Sequence, residues 1–203
     1  MRRERVKGKT IKKWTGLALC MILVVSMFAL TACNDDKKDG AHEPDPGDKI
    51  SEQAVKLYFA NTAYINTGVE TPEVKMMMPA YDYKLMVEAD DKPASIYEDT
   101  LDALQFAPNE EYTTILTDQI EPDEVYVKGE TAYVDMDGEH LMGGNLEETI
   151  LINQIVCTLV DSFPEIKNVQ FLVNGKNANT LMGQMDTTRP FTKGENGVAI
   201  VVE

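Results

Sequence analysis

The stretch Glu124-Val125-Tyr126-Val127-Lys128-Gly129-Glu130-Thr131-Ala132-Tyr133-Val134-Asp135 decides how this domain is built. Apolar residues alternate on both sides of Gly129-Glu130, which reads as a β-hairpin closed by a two-residue turn. With that turn, Lys128 faces Thr131, Val127 faces Ala132, Tyr126 faces Tyr133 and Val125 faces Val134. The four residues Val125, Val127, Ala132 and Val134 then share one face, and the two tyrosines stack on the other. Sliding the turn by one residue breaks both sets, so the pattern fixes its own register.

Downstream, Asn145 reads as the cap of a helix, with Glu148 at the reciprocal capping-box position. The helix runs to Phe163 and is stopped by Pro164. Its apolar members, Ile150, Leu151, Ile152, Ile155, Val156, Leu159, Val160 and Phe163, cover more than one stripe, which predicts burial on more than one side. Asn168 to Val173 alternates again, and Asn174-Gly175 is a strong hairpin signal. A short returning segment runs through Leu181, and Val198 to Val202 reads as a late edge strand or a frayed terminus. Upstream, Ala54 to Ala60 reads as a strand. Ser95 to about Phe106 reads as a helix with Ser95 as its cap, ended by Pro108. The order β, α, β, β, α, β, without internal repeat, predicts an α+β fold: a small mixed β-sheet with two main helices packed on one face.

The N-terminus carries an address. Arg2, Arg3, Arg5, Lys7, Lys9, Lys12 and Lys13 precede an uncharged apolar run, Leu17 to Leu30. That run has 14 residues, against the roughly 20 a spanning helix needs. Basic segment, short apolar run and small residues describe a secretory signal peptide. It closes on Leu30-Thr31-Ala32-Cys33, which resembles the bacterial lipobox. The resemblance implies cleavage before Cys33 and acylation of its thiol, placing the chain on the extracytoplasmic face of the bacterial cell membrane, lipid-anchored. Beyond it, Asn34 to Ile50 (NDDKKDGAHEPDPGDKI) is charge, Gly and Pro ending in one Ile, a composition that predicts a disordered acidic tether. Its root-mean-square span would be roughly 20–25 Å.

Seven of the 19 Lys and Arg but only one of the 34 Asp and Glu precede Cys33. The portion from Cys33 onward therefore carries 12 basic and 33 acidic residues, a formal charge of −21. Such a surface disfavours nucleic acid, whose phosphates must be met by Lys and Arg, and disfavours lying flat on anionic lipid. Cys157 alone remains once Cys20 and Cys33 are accounted for, so no intrachain disulfide is expected. Its apolar surroundings in sequence predict a buried, inert thiol.

The second half also resembles a known family, the GerMN domain of sporulation and spore germination. Glu130-Thr131-Ala132-Tyr133-Val134-Asp135 is similar to that family's "x-x-A-x-V-D" strand. Thr158-Leu159 with Phe163-Pro164 resembles its "T-L-x-x-F-P" helix end. Val169-Gln170-Phe171-Leu172-Val173-Asn174-Gly175-Lys176 resembles its "V-x-F-x-V-D/N-G-K" strand and turn, and Leu181, Gly183, Asp186 and Pro190 continue the pattern. Between Ala60 and Ser95 the chain is longer than the family pattern. The resemblance implies a non-catalytic module similar to ring-building motifs, which assemble side by side in the envelope, and it brings no catalytic residues. The organisation expected is a signal peptide over 1–32, the lipidated cysteine and acidic tether over 33–50, a GerMN-like domain over 51–192 and a C-terminal segment over 193–203.

Chemistry offers few alternatives. His42 falls in the tether. His140 follows Asp135-Met136-Asp137-Gly138-Glu139, from which a carboxylate–histidine cluster could be drawn; a calcium loop would need a further ligand and a later Glu, and a serine triad would have only His140 as base, without a G-x-S-x-G. No zinc spacing occurs. Gly143-Gly144 reads as a flexible turn. Met76-Met77-Met78, with Met86, Met136, Met142, Met182 and Met185, invites a copper reading, but successive methionines on a strand alternate faces, and core filler or a greasy partner patch fits them better. The expected function is that of a membrane-tethered extracytoplasmic lipoprotein, with no cofactor, that acts in protein interaction or self-assembly in the cell envelope, held there by lipid (palmitate) on Cys33. The alternatives are a solute- or glycan-binding lipoprotein and an envelope hydrolase using Asp135, Asp137 and His140.

Overall fold

A computed structural model describes residues 50–88 and 91–203. In chain order these form β1 (Ile50–Leu57), β2 (Ala60–Asn61), α1 (Thr62–Thr67), β3 (Tyr81–Glu88), α2 (Pro93–Ala103), β4 (Tyr112–Thr113), β5 (Pro122–Lys128), β6 (Thr131–Met136), α3 (Asn145–Ser162), β7 (Asn168–Val173), β8 (Lys176–Asn177), β9 (Phe191–Lys193) and β10 (Ala199–Val201). The main sheet has the order β10-β9-β7-β6-β5, with β8 on the side of β7, and two-stranded pieces pair β1 with β3 and β2 with β4.

The hairpin pairs in the register its alternation dictates: Val125 with Val134, Tyr126 with Tyr133, Val127 with Ala132 and Lys128 with Thr131. Gly129 takes φ of +64°, which the first position of such a turn requires. Val125, Ala132 and Val134 are fully buried. On the opposite face the Tyr126 and Tyr133 rings stack with centroids 5.1 Å apart and planes 7° from parallel. From β6 the chain crosses through α3 to β7, which lies parallel to β6; a parallel neighbour needs such a crossover. β9 and β10 then extend the sheet antiparallel beyond β7, so the sheet is mixed and the fold is α+β, with α2 and α3 on its apolar face.

α3 is buried on more than one side, as its apolar coverage predicts. One side packs with Val134, Val169 and Phe171 of the sheet in the larger core. The other packs Ile150 and Cys157 against Tyr58, Ala60 and Met77.

Several local readings change. α2 starts at Pro93 with Lys92 in the cap position, because a proline at the first turn presets φ and gives up an N–H that has no helical partner there. Ser95 lies inside the helix and donates to the Lys92 carbonyl at 2.8 Å. α3 is capped by Gly144, not Asn145, and Glu147 rather than Glu148 accepts from the Gly144 N–H, at 3.0 Å. The expected strand Ala54 to Ala60 divides at Tyr58. There the backbone N–H donates to Thr158 Oγ1 at 3.1 Å and the carbonyl accepts from Gln154 Nε2 at 3.3 Å. Helix side chains take over the backbone bonds, and the strand ladder stops.

Both rims of the main sheet are capped in the same way. The hairpin register turns the Val125 N–H away from β6, and Glu98 of α2 accepts it at 3.1 Å. At the other rim, Asn153 of α3 accepts the Ala199 N–H at 2.7 Å. Edge donors left open would invite pairing with another chain.

Candidate functional site

The acidic residues around His140 do not converge. Asp135 accepts the Gly175 N–H at 2.8 Å and so braces the Asn174-Gly175 turn. Asp137 accepts the Glu139 N–H at 2.9 Å in a local turn. His140 is exposed. Gly143 and Gly144 are exposed at the entry to α3, where a Cβ on Gly143 would come within 2.7 Å of Met182 Sδ. The methionines are scattered, Met136 in the core and Met86 and Met142 more than half exposed. Cys33, His42, the expected signal peptide and the expected tether lie outside the described residues, except Ile50, which opens β1.

The residues that carry the family pattern are occupied with structure. Thr158 holds Tyr58, Asp135 holds Gly175, and Asn174 and Gly175 take φ of +52° and +76° in the tight turn. Val169 and Phe171 are fully buried. Glu148 is the unexpected member. Its carboxylate is fully buried and accepts four backbone N–H groups, from Leu181 at 2.8 Å, Met182 at 2.9 Å, Gln184 at 2.7 Å and Met185 at 3.0 Å. It is the anchor of the loop that follows β8. A sequence signal existed, since Glu148 lies on the same helical stripe as Leu151, Ile152 and Ile155.

A cavity of about 1090 Å³ opens between residues 58–80 and the turn at 193–198. Met76, Met77, Met78, Pro79 and Val198 give it an apolar floor, and Glu70, Glu73, Glu110 and Glu111 stand around it. Residues 76–78 run antiparallel to 59–61: Asn61 donates to the Met76 carbonyl at 2.8 Å and Met78 to the Phe59 carbonyl at 2.9 Å. Met77 is consequently buried, while Met76 and Met78 are half-buried.

At one end of the cavity, Lys193 Nζ donates to Tyr58 Oη at 2.7 Å and to Asp161 Oδ2 at 2.5 Å. The Tyr58 hydroxyl donates to the same carboxylate oxygen. Burial alone would raise the Asp161 carboxyl, but the hydrogen bonds from Lys193 and Tyr58 prevail and hold it below the usual carboxylate range. Burial would likewise lower Lys193, and its bonds to Asp161 and Tyr58 instead raise it. Tyr58 is raised by burial and by its bond to Asp161. The trio therefore stays as carboxylate, ammonium and neutral phenol, a structural lock and not a proton-transfer pair. Cys157 lies beneath it, buried, with its thiol pushed up to about 12 by burial, Lys193 and Asp161 adding smaller and opposed effects. A nucleophilic thiol needs the reverse shift.

A family model described as Germane, sporulation and spore germination, matches residues 56–179. The chain belongs to this family. Solved structures resemble it loosely. A candidate lipoprotein from Clostridium perfringens shares 18% identity over 73% of this chain and 93% of its own, with a TM-score of 0.44. The tandem GerMN domains of the sporulation protein GerM from Bacillus subtilis share 15% identity over 68% of this chain and 44% of theirs, with a TM-score of 0.45. The first GerMN domain of that protein alone gives 14%, 68% and 92%, with a TM-score of 0.43. Among curated proteins, none matches the sequence.

The sequence pointed to Glu148 but gave it the capping role that Glu147 fills, and it singled out no role for Tyr58, Asp161 or Lys193. The Tyr58–Asp161 and Lys193–Asp161 contacts join residues 103 and 32 positions apart, a separation no local pattern reports.

Proposed function

We propose that this Germane-family protein is a lipoprotein held by Cys33 on the extracytoplasmic face of the membrane, where its domain acts as a non-catalytic binding or assembly module. The observation that carries this reading is the occupation of the family-pattern residues. Thr158, Asp135, Asn174 and Gly175 are spent on backbone contacts and turns, which supports a scaffold that presents a surface rather than a reaction centre. The basic segment, short apolar run and Leu30-Thr31-Ala32-Cys33 support the anchor. Among the described residues no helix is long and apolar enough to cross a membrane. Asp135, Asp137 and His140, each engaged locally or exposed, give no support to a hydrolase. A second reading, capture of a solute by the cavity between 58–80 and 193–198, is favoured by its volume of about 1090 Å³.

The test is to follow the full chain and its Cys33→Ser variant through membrane fractionation and labelled-palmitate incorporation. The expected outcome is label and membrane association in the parent and loss of both in the variant. A variant that stays bound and uncleaved would make the apolar run an anchor. Crosslinking the parent in isolated envelope should capture a protein partner; saturable uptake of a small solute without such capture would favour the second reading.

A further inference from the structure

We propose that the cavity between 58–80 and 193–198 receives a protein segment carrying both apolar and basic side chains, the basic ones meeting its glutamates and the apolar ones its methionines. This gives the binding reading above a partner class and rests on that reading, though not on the lipid anchor.

Charge selects the occupant. Four glutamates and two lysines line the cavity, and one of those lysines, Lys193, is already paired with Asp161 at 2.5 Å. None of the four glutamates forms an ion pair among the described residues. Glu70 is partly used, since its Oε1 accepts the Met76 N–H at 3.1 Å, and Glu73 accepts a bond from Thr71 Oγ1 at 3.1 Å. Glu110 and Glu111 are exposed. An anionic lipid or a phosphate would meet like charge here, and a Lys or Arg would meet its opposite.

The floor selects the rest. Met76 and Met78 lie half-buried beside Pro79 and Val198. Methionine is unbranched and polarizable, so such a floor accommodates apolar side chains of varied shape. At about 1090 Å³ the cavity has room for several side chains of one segment.

The test uses the full chain carrying Cys33→Ser, with a fluorescent hexapeptide alternating leucine and lysine as probe. Saturable binding is expected, weakening at least tenfold in the Glu110→Gln/Glu111→Gln double variant and in Met76→Lys/Met78→Lys. Glu124→Gln/Glu130→Gln, outside the cavity, should leave the affinity within twofold and so separates the site from general attraction to an acidic protein. The matching leucine–glutamate and glycine–lysine peptides should bind at least tenfold more weakly. Equal binding of either peptide, or unchanged affinity in both cavity variants, would overturn the proposal. Spermidine competing as strongly as the probe would reassign the cavity to small polycations and also overturn it. Palmitate labelling is untouched by any of these results, so failure of the peptide test and failure of the anchor are read separately.

Discussion

Toward the sheet, α3 presents Leu151, Ile152, Ile155, Val156 and Leu159 to Val134, Val169 and Phe171, all fully buried and apolar. Away from the sheet, its fully or nearly buried apolar contacts are Ile150 and Cys157 against Tyr58, Ala60 and Met77, with Leu146 and Val198 partly buried beside them. Directed bonds join that side: Thr158 and Gln154 hold the Tyr58 backbone, and Asp161 takes hydrogen bonds from Tyr58 and Lys193. Apolar packing is non-directional and grows with area, so it makes the sheet side the stable frame. Hydrogen bonds add less each but fix geometry, which suits a lobe that must hold the mouth of a cavity. The strands that carry the family motifs lie on the first side; the second side carries part of the stretch between Ala60 and Ser95.

Truncations on the two sides should separate in size. Phe171→Ala removes a fully buried ring from the frame and should cost about 4 kcal/mol in denaturant unfolding. Met77→Ala, 9% exposed on the lobe side, should cost about 2 kcal/mol. Equal losses would erase the distinction.

Glu148 sharpens it, because it places a directed network on the sheet side. Glu148→Ala leaves four backbone N–H groups of 181–185 without their acceptor, a loss of about 3 kcal/mol. Hydrogen exchange should show those amides opening while β7 stays protected. If β7 and the loop open together, the loop is part of the frame.

The smallest expected effect is at the lock. Asp161 and Lys193 are each about one-fifth exposed, at 23% and 20%, so Asp161→Asn should cost only about 1 kcal/mol at pH 7. The folded-state value of Asp161 is depressed, so its contribution is full above about pH 4 and is lost as pH falls through the lower folded value. That of Lys193 is raised, so its contribution is full below about pH 10.4 and is lost as pH rises through the higher folded value. Stability measured against pH should therefore lose part of its acid limb in Asp161→Asn. An unchanged acid limb would show that the pair does not contribute.

The same contrast explains what could be read from the sequence. The hairpin was legible to the residue, because a period of two and a two-residue turn admit one register. α3 and its double-sided burial were legible from apolar positions alone. Its cap was not: Asn145 and Gly144 are both acceptable caps, and Glu147 and Glu148 each stand three residues after one of them. The pairing of β1 with β3 joins Ile50 to Glu88 and Leu57 to Tyr81 across the intervening stretch, and no turn signal announces it. The cavity and the lock depend on that same non-local assembly, which is why the sequence displayed the frame and hid the lobe. Asp135, Asp137 and His140 looked like chemistry because they are close in sequence, whereas two of them serve neighbouring backbone.

The central claim is that the frame supports and the lobe binds. It is tested most directly by placing a photoactivatable phenylalanine analogue, one at a time, at Met78 and at Tyr126 in the full chain in its native envelope. Met78 lines the cavity, and Tyr126 lies on the outer face of the hairpin, stacked on Tyr133. The account predicts a discrete protein adduct from Met78 and none from Tyr126. Adducts from Tyr126 alone would contradict it and place the binding surface on the sheet.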